Sequence, residues 1–289
     1  MLTDDLLSFL SAEKIDAEPV AVGAETPFPL LKLAGKALFL HLIVVKRYRE
    51  QPTEPFFFQH LSDNFGQRGE RIIHLWEDVW RLKKEVVQSR LRALAGQSQR
   101  IPARLTQVRR LDRPTTAAFL DHNHLQVVTL SKYKYGLFLP ARYFRVLSDD
   151  YQKTVDSGAT ELLVAVATFS HPRTIPRNGK LSRSVELVRF ANRLNCTVVG
   201  GLDKLLKAFI QEQHPGDIMT YADRDWSDGR SYEKLGFERV GTTAPQEFWL
   251  DAETLVRHYP HRLAEESEEL IPVHNAGSLK FVLNLDYTD

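Results

Sequence analysis

Apolar side chains recur along this chain with two periods, and the switches between them mark its elements. Leu6, Leu7, Phe9 and Leu10 share one side of a helix expected over 3–12, with Thr3 as its cap. Two strands are expected over 28–45, around a turn at Ala34-Gly35-Lys36; Leu38 to Val45 is a nearly continuous β-type run. A helix over 54–68 and a short buried strand, Arg71 to Trp76, follow. Val79, Leu82, Val86, Leu91 and Leu94 recur at three- and four-residue spacing and predict one helix over 78–94, stopped at Gly96. Gly96 to Pro102 is small, polar and closed by proline, which reads as a linker.

Beyond residue 102 strands and helices alternate. Strands are expected over 105–110, 133–139, 161–169, 185–190, 217–221, 237–241, 247–250 and 279–285. Pro114-Thr115-Thr116 opens a helix. Leu202, Leu205, Leu206, Phe209 and Ile210 line the buried side of another over 202–213, and Gly236 stops a short one over 229–235. Residues 142–160 and 171–184 carry no clear period; the second is a Pro/Arg/Gly-rich stretch expected to be a loop. The class is α/β.

The 289 residues are 43% hydrophobic and 26% charged, ordinary for a folded domain and too apolar for general disorder. No apolar run approaches about 18 residues, so no membrane span is expected. The start Met1-Leu2-Thr3-Asp4-Asp5 lacks the basic residues of a secretory signal, and Cys196 is the single cysteine. A cytoplasmic location is the expectation. The ten histidines show no metal-ligand spacing, and no metal site is expected.

Net charge is +1, but it is unevenly spread. Between Arg81 and Arg113 ten Lys/Arg, among them Arg90, Arg92, Arg100, Arg109 and Arg110, face only Glu85 and Asp112. Such a stretch can follow a nucleic-acid backbone, or be a solvated helix face with a polar linker. Glu265 to Glu269 is its acidic counterpart.

The segment Val198-Val199-Gly200-Gly201-Leu202-Asp203-Lys204 takes a β-type stretch through two glycines into an amphipathic helix. Glycine lets backbone approach an anion, and a helix start offers free N–H groups; a plain tight turn is the alternative. About thirty residues on stands Tyr232-Glu233-Lys234-Leu235-Gly236-Phe237. This set resembles the GNAT family of N-acetyltransferases, whose closing helix and strand often carry that string. The resemblance implies a mixed β-sheet fold, acetyl-coenzyme A as acyl donor, an amine acceptor, and binding of the donor pyrophosphate at Val198, Gly200, Gly201, Leu202, Asp203 and Lys204. The chain departs from the family's glycine-loop pattern: Thr197 stands for Gln/Arg, and Leu202 for the second glycine.

Tyr221 to Gly229, with Asn123-His124-Leu125-Gln126, Glu186 to Phe190 and Asn275 to Lys280, is similar to a GNAT-like domain of phage and homing-type endonuclease proteins. There it follows a nuclease domain related to very-short-patch-repair endonucleases, and Ile72 to Trp80 with Lys83-Lys84 resembles the join. The resemblance implies a small restriction-endonuclease-like α/β unit over 1–96 and a GNAT-like unit over 97–289 with a C-terminal strand extension. Such nucleases hold Mg²⁺ with carboxylates on adjacent strands. The expected strands over 28–45 contain none, so a degenerate, inactive nuclease unit is expected. Glu77 and Asp78 are expected to cap a helix start.

Acyl transfer needs a base for the amine and an acid for the leaving thiolate. By resemblance Tyr232 is the acid, against a packed helix tyrosine. Glu186, before the glycine loop, is the candidate base, against a structural pair with Arg189. Asp223, Arg224, Asp225 and Trp226 form a polar cluster at a strand end, suited to another ligand or to an anchored loop. Three functions stay open: acyl-coenzyme A-dependent N-acyltransferase, nucleic-acid-associated module, and catalytically silent interaction protein.

Overall fold

The structure is a computed structural model; it describes residues 2–21, 25–177, 180–262 and 270–285. The chain forms two compact units that interleave along the sequence. The first comprises Met1–Lys84, Tyr221–Lys234 and Arg239–Phe281; the second comprises Glu85–Thr220, Leu235–Glu238 and Val282–Asp289.

In the first unit, helix Leu2–Ala12 precedes a four-stranded sheet. Ala17–Val20, Leu30–Leu33 and Leu38–Ile43 are antiparallel neighbours, and Arg71–Trp76 lies parallel to Leu38–Ile43. Every residue of Leu38–Ile43 is buried, His41 included, as its nearly continuous apolar run requires. Gly35, at φ +67°, makes the hairpin turn. A second, three-stranded sheet joins Arg257–His258, Glu247–Asp251 and Leu270–His274. Its Leu250, Ile271 and Val273, with Ala276, close one core with Phe28, Ile43, Tyr48, Phe58 and Trp76.

In the second unit the sheet runs Gln107–Arg110, Tyr133–Pro140, Glu161–Phe169, Lys180–Asn192, then Asp217–Asp223, whose last residues belong to the first unit. Successive pairs are antiparallel except the last, which is parallel. Helix Arg113–Asn123 is capped by Asp112, whose carboxylate accepts the Thr115 N–H at 2.8 Å. Helix Gly201–Gln213 buries Leu205, Leu206 and Phe209. The Phe209 ring stacks on Phe169 with centroids 3.8 Å apart.

Several expectations change. A single boundary at residue 96 is replaced by interleaving, because apolar residues beyond 239 complete the first unit's core. The Gly96–Pro102 linker contains a strand, Gln99–Pro102, parallel to Cys196–Val199 and with Ile101 buried. The helix over 78–94 is two, Glu77–Leu82 and Lys84–Ala95, broken at Lys83. The loop expected over 171–184 contains a β-hairpin, Arg173–Arg177 against the first residues of Lys180–Asn192. The acidic run Glu265 to Glu269 lies outside the described residues.

Candidate functional site

Parallel pairing of Cys196–Val199 with Gln99–Pro102 sets Arg100 beside Thr197 and Pro102 beside Val199. The Thr197 hydroxyl is 2.6 Å from that of Ser98. The strand then enters Gly200, at φ +76°, a left-handed conformation that side chains rarely adopt. The Lys204 N–H donates to the Gly200 carbonyl at 3.0 Å and starts the helix. A cavity of about 560 Å³ opens at this junction, lined by Arg100, Pro102, Ala103, Arg104, Val199, Gly200, Asp203, Lys204 and Lys207. Arg100 and Arg104 are exposed. The other two cations are held: Lys204 Nζ donates to the Ala103 carbonyl at 3.0 Å and to that of Thr106, and Lys207 pairs with Asp203 at 2.7 Å.

Of the expected cofactor-binding residues, Gly200, Asp203 and Lys204 line the cavity; Val198, Gly201 and Leu202 are not among its lining. Val198 is buried, and a Cβ on Gly201 would meet the Val198 Cβ at 2.9 Å. Gly201 is therefore required by the protein's own packing. Sequence reasoning missed Pro102, Ala103, Arg104 and Lys207. Only Lys207, one helical turn beyond Asp203, had a local signal.

Glu186 lies on Lys180–Asn192, where pairing with Asp217–Asp223 stops. Both strands continue past the last pair, Glu186 with Met219, and the Thr220 hydroxyl donates to the Leu187 carbonyl at 3.0 Å. A register shift between Leu187 and Arg189 bulges the strand. Glu186 is half-buried, and burial pushes its carboxyl above the ordinary range against the opposing charges of Arg189 and Arg173.

No family model matches the chain, and no curated protein matches its sequence. The chain is similar to solved acetyltransferase structures. One is a chain of the NatC complex bound to Gag peptide and CoA: identity is 15%, over 63% of this chain and 99% of that one, with a TM-score of 0.33. Another is a Bacillus subtilis acetyltransferase in complex with CoA: identity is 15%, over 62% and 99%, with a TM-score of 0.35.

The remaining expected site residues are distributed over both units. Tyr232 is in the first unit, half-buried on the short helix Arg230–Glu233, its ring centroid 5.6 Å from that of Phe281. The cluster at 223–226 is engaged with protein groups. Asp225 is buried, accepts the Ala276 N–H at 2.8 Å, and lends its carbonyl to the His74 N–H at 2.9 Å. Burial and the neighbouring Asp223 carboxylate push Asp225 up to about 8. Asp223 accepts the Asp225 N–H, Arg224 pairs with Asp63 at 2.6 Å, and the Trp226 carbonyl accepts from Arg71. Asp78 does not cap a helix: it is buried, with two hydrogen bonds from Arg257 at 2.6 and 3.0 Å. Glu77 instead accepts the Val45 N–H at 3.1 Å.

The basic stretch is partly neutralised. Arg109 pairs with Glu161, Arg110 pairs with Glu212, and Arg92 donates to Asn195 at 2.9 Å. Arg90, on the same helix as Arg92, is half-buried. In the first unit, the strands expected to carry nuclease carboxylates carry Leu, Lys, Phe, His and Ile. Among the described residues no three His, Cys, Asp or Glu are grouped to hold a metal, and no helix is long and apolar enough to cross a membrane.

Proposed function

We propose that this chain is an acyl-coenzyme A-dependent N-acyltransferase of GNAT-like fold whose acyl donor is held in the second unit. The observation that carries the reading is the cavity at the start of Gly201–Gln213, with Arg100 and Arg104 at its wall and Gly200 at its floor. Its donor set fits a polyanion: two exposed guanidiniums, two ammoniums and one carboxylate already paired to Lys207. Arg100, beside Thr197 in register, offers from a neighbouring strand the cation that position 197 lacks.

When bound, acyl-coenzyme A supplies the activated acyl group. Arg100 and Arg104 hold its phosphates. Backbone past Glu186, where strand pairing stops, offers donors for the thioester carbonyl. Glu186, raised by burial, takes the proton of the attacking amine. The leaving thiolate takes its proton from solvent. The ion pairs at Arg109 and Arg110 favour this reading over the 81–113 stretch as a nucleic-acid surface.

Calorimetry with acetyl-coenzyme A tests it. Micromolar binding is expected at low salt, weaker at physiological salt, and weakened at least tenfold in Arg100→Glu/Arg104→Glu. Glu186→Gln is expected to bind but not transfer. No heat of binding at low salt overturns the reading. Gly201→Glu is a poor probe, because it disrupts packing on Val198.

A further inference from the structure

Glu186 takes the proton of the attacking amine, so the groups around its carboxyl meet the rest of the acceptor molecule. The charges acting on that carboxyl are the guanidiniums of Arg189 and Arg173, and from Leu162 through Val185 the chain has no Asp or Glu. Arg173 is exposed and in register with Ser184, whose hydroxyl donates to the buried Asp217 and so fixes the strand two residues before Glu186. Arg189 follows the bulge and donates to the Val188 carbonyl at 2.8 Å and to the Val127 carbonyl at 3.3 Å. The second bond ties down a strap, residues 124–132, that runs without helix or strand between Arg113–Asn123 and Tyr133–Pro140. The end of the strap is pinned nearby. The Lys132 N–H donates to the Phe169 carbonyl at 2.8 Å, and the Ser170 N–H, next in the chain, donates to the Glu186 carbonyl at 2.9 Å. On the strap, Val127 is 65% exposed and Leu130 83%. The acceptor side of the base therefore combines two guanidiniums with open apolar surface.

Resting on the acyltransferase reading, we propose that the acceptor is an α-amino acid with an apolar side chain, its carboxylate held by Arg173 and Arg189 and its side chain against Val127 and Leu130. A single carbon separates amine from carboxylate in such a molecule. A base and two guanidiniums close enough to act on its charge then engage both groups at once. The same two charges repel a polyamine. In the transfer, the free amine forms its N–C bond to the acyl carbon as the thioester C–S bond breaks. Glu186 takes the amine proton, and the thiolate leaves to be protonated by solvent. Arginines that serve only as counter-ions to Glu186 would occupy the same places, and the test separates the two roles.

Calorimetry of the full chain with acetyl-coenzyme A at low salt comes first, because it decides the reading on which the proposal rests. With coenzyme A present, N-acetyl-L-leucine, N-acetyl-L-leucinamide and N-acetylglycine are then titrated. These products carry no basic nitrogen, so they isolate the carboxylate and the side chain. N-acetyl-L-leucine is expected to bind about tenfold tighter than either of the others. In transfer assays L-leucine is expected to be an acceptor and spermidine is not. Arg173→Gln, at an exposed position, keeps donor binding and raises the KM for L-leucine about tenfold, with the KM for L-leucinamide unchanged. Loss of a counter-ion alone slows both acceptors alike. If Arg173→Gln loses donor binding, the product comparison on the unaltered chain decides. With donor binding intact, the proposal is overturned by equal or tighter binding of either other product, by no transfer to L-leucine, by transfer to spermidine ahead of L-leucine, or by an equal effect of Arg173→Gln on both leucine acceptors. Each of these leaves the acyltransferase reading standing. No donor binding overturns that reading and the proposal together.

Discussion

The ring nitrogens Nδ1 of His41 and His74 are 2.9 Å apart and buried, and their partners fix every proton. The Phe58 carbonyl can only accept, so His74 Nε2, 3.1 Å away, carries hydrogen, which it shares with the Ser62 hydroxyl oxygen at 2.9 Å. His74 Nδ1 then accepts from His41 Nδ1–H, and His41 Nε2 accepts the Thr26 hydroxyl at 2.7 Å. An added proton on either ring sets donor against donor. Burial holds both below the ordinary histidine value, with His74 at about 3. The unfolded chain therefore takes up protons first, and stability present above pH 6.5 is lost as pH falls through the acid range. The urea midpoint should drop from pH 7 to 4, and His41→Leu/His74→Leu should flatten that drop. Asp225 has the opposite sign. Its folded value of about 8 exceeds the ordinary 3.8, so its contribution is lost as pH rises between the two. Asp225→Asn keeps an acceptor for the Ala276 N–H and should steepen the drop between pH 7 and 4, because the opposing contribution of Asp225 is gone.

Strands were legible where local pattern determines them. Arg71–Trp76 and Glu161–Phe169 occur at their expected bounds, because each is a nearly continuous apolar run closed by polar residues. The helix break at Lys83 was hidden: spacing placed Leu82 inside, yet it is 53% exposed while Trp80 is fully buried. The cavity was half legible. Gly200, Asp203 and Lys204 carry a local signature, whereas Arg100 and Arg104 join them through parallel pairing between distant segments, whose register no local pattern encodes. The strand taken for a linker gives a direct test. Ile101 is fully buried and opposite Val198, so Ile101→Ala should cost about 2–5 kcal/mol in urea unfolding, where a linker position would cost almost nothing. It should also weaken acetyl-coenzyme A binding, since Arg100 is carried by the same strand.

The two units interleave: the chain leaves the first at Lys84, returns at Tyr221, and returns again at Arg239. A fragment of residues 1–96 keeps Phe28, Tyr48, Phe58 and Trp76 but lacks Leu250, Ile271, Val273 and Ala276, and it buries Asp78 without Arg257. It should show no cooperative melting by circular dichroism, while the full chain does. A fragment that melts cooperatively would make the late segments an accessory to a complete core.

Interleaving also has a meaning in time. About 200 residues separate Trp76 from Ala276. At a synthesis rate of roughly 5–20 residues per second, the ribosome needs about 10–40 s to deliver them. For that interval the nascent first unit presents Phe28, Ile43, Phe58 and Trp76 with no late strands to cover them. Escape from aggregation then depends on how quickly a chaperone, rather than another nascent chain, finds that apolar face.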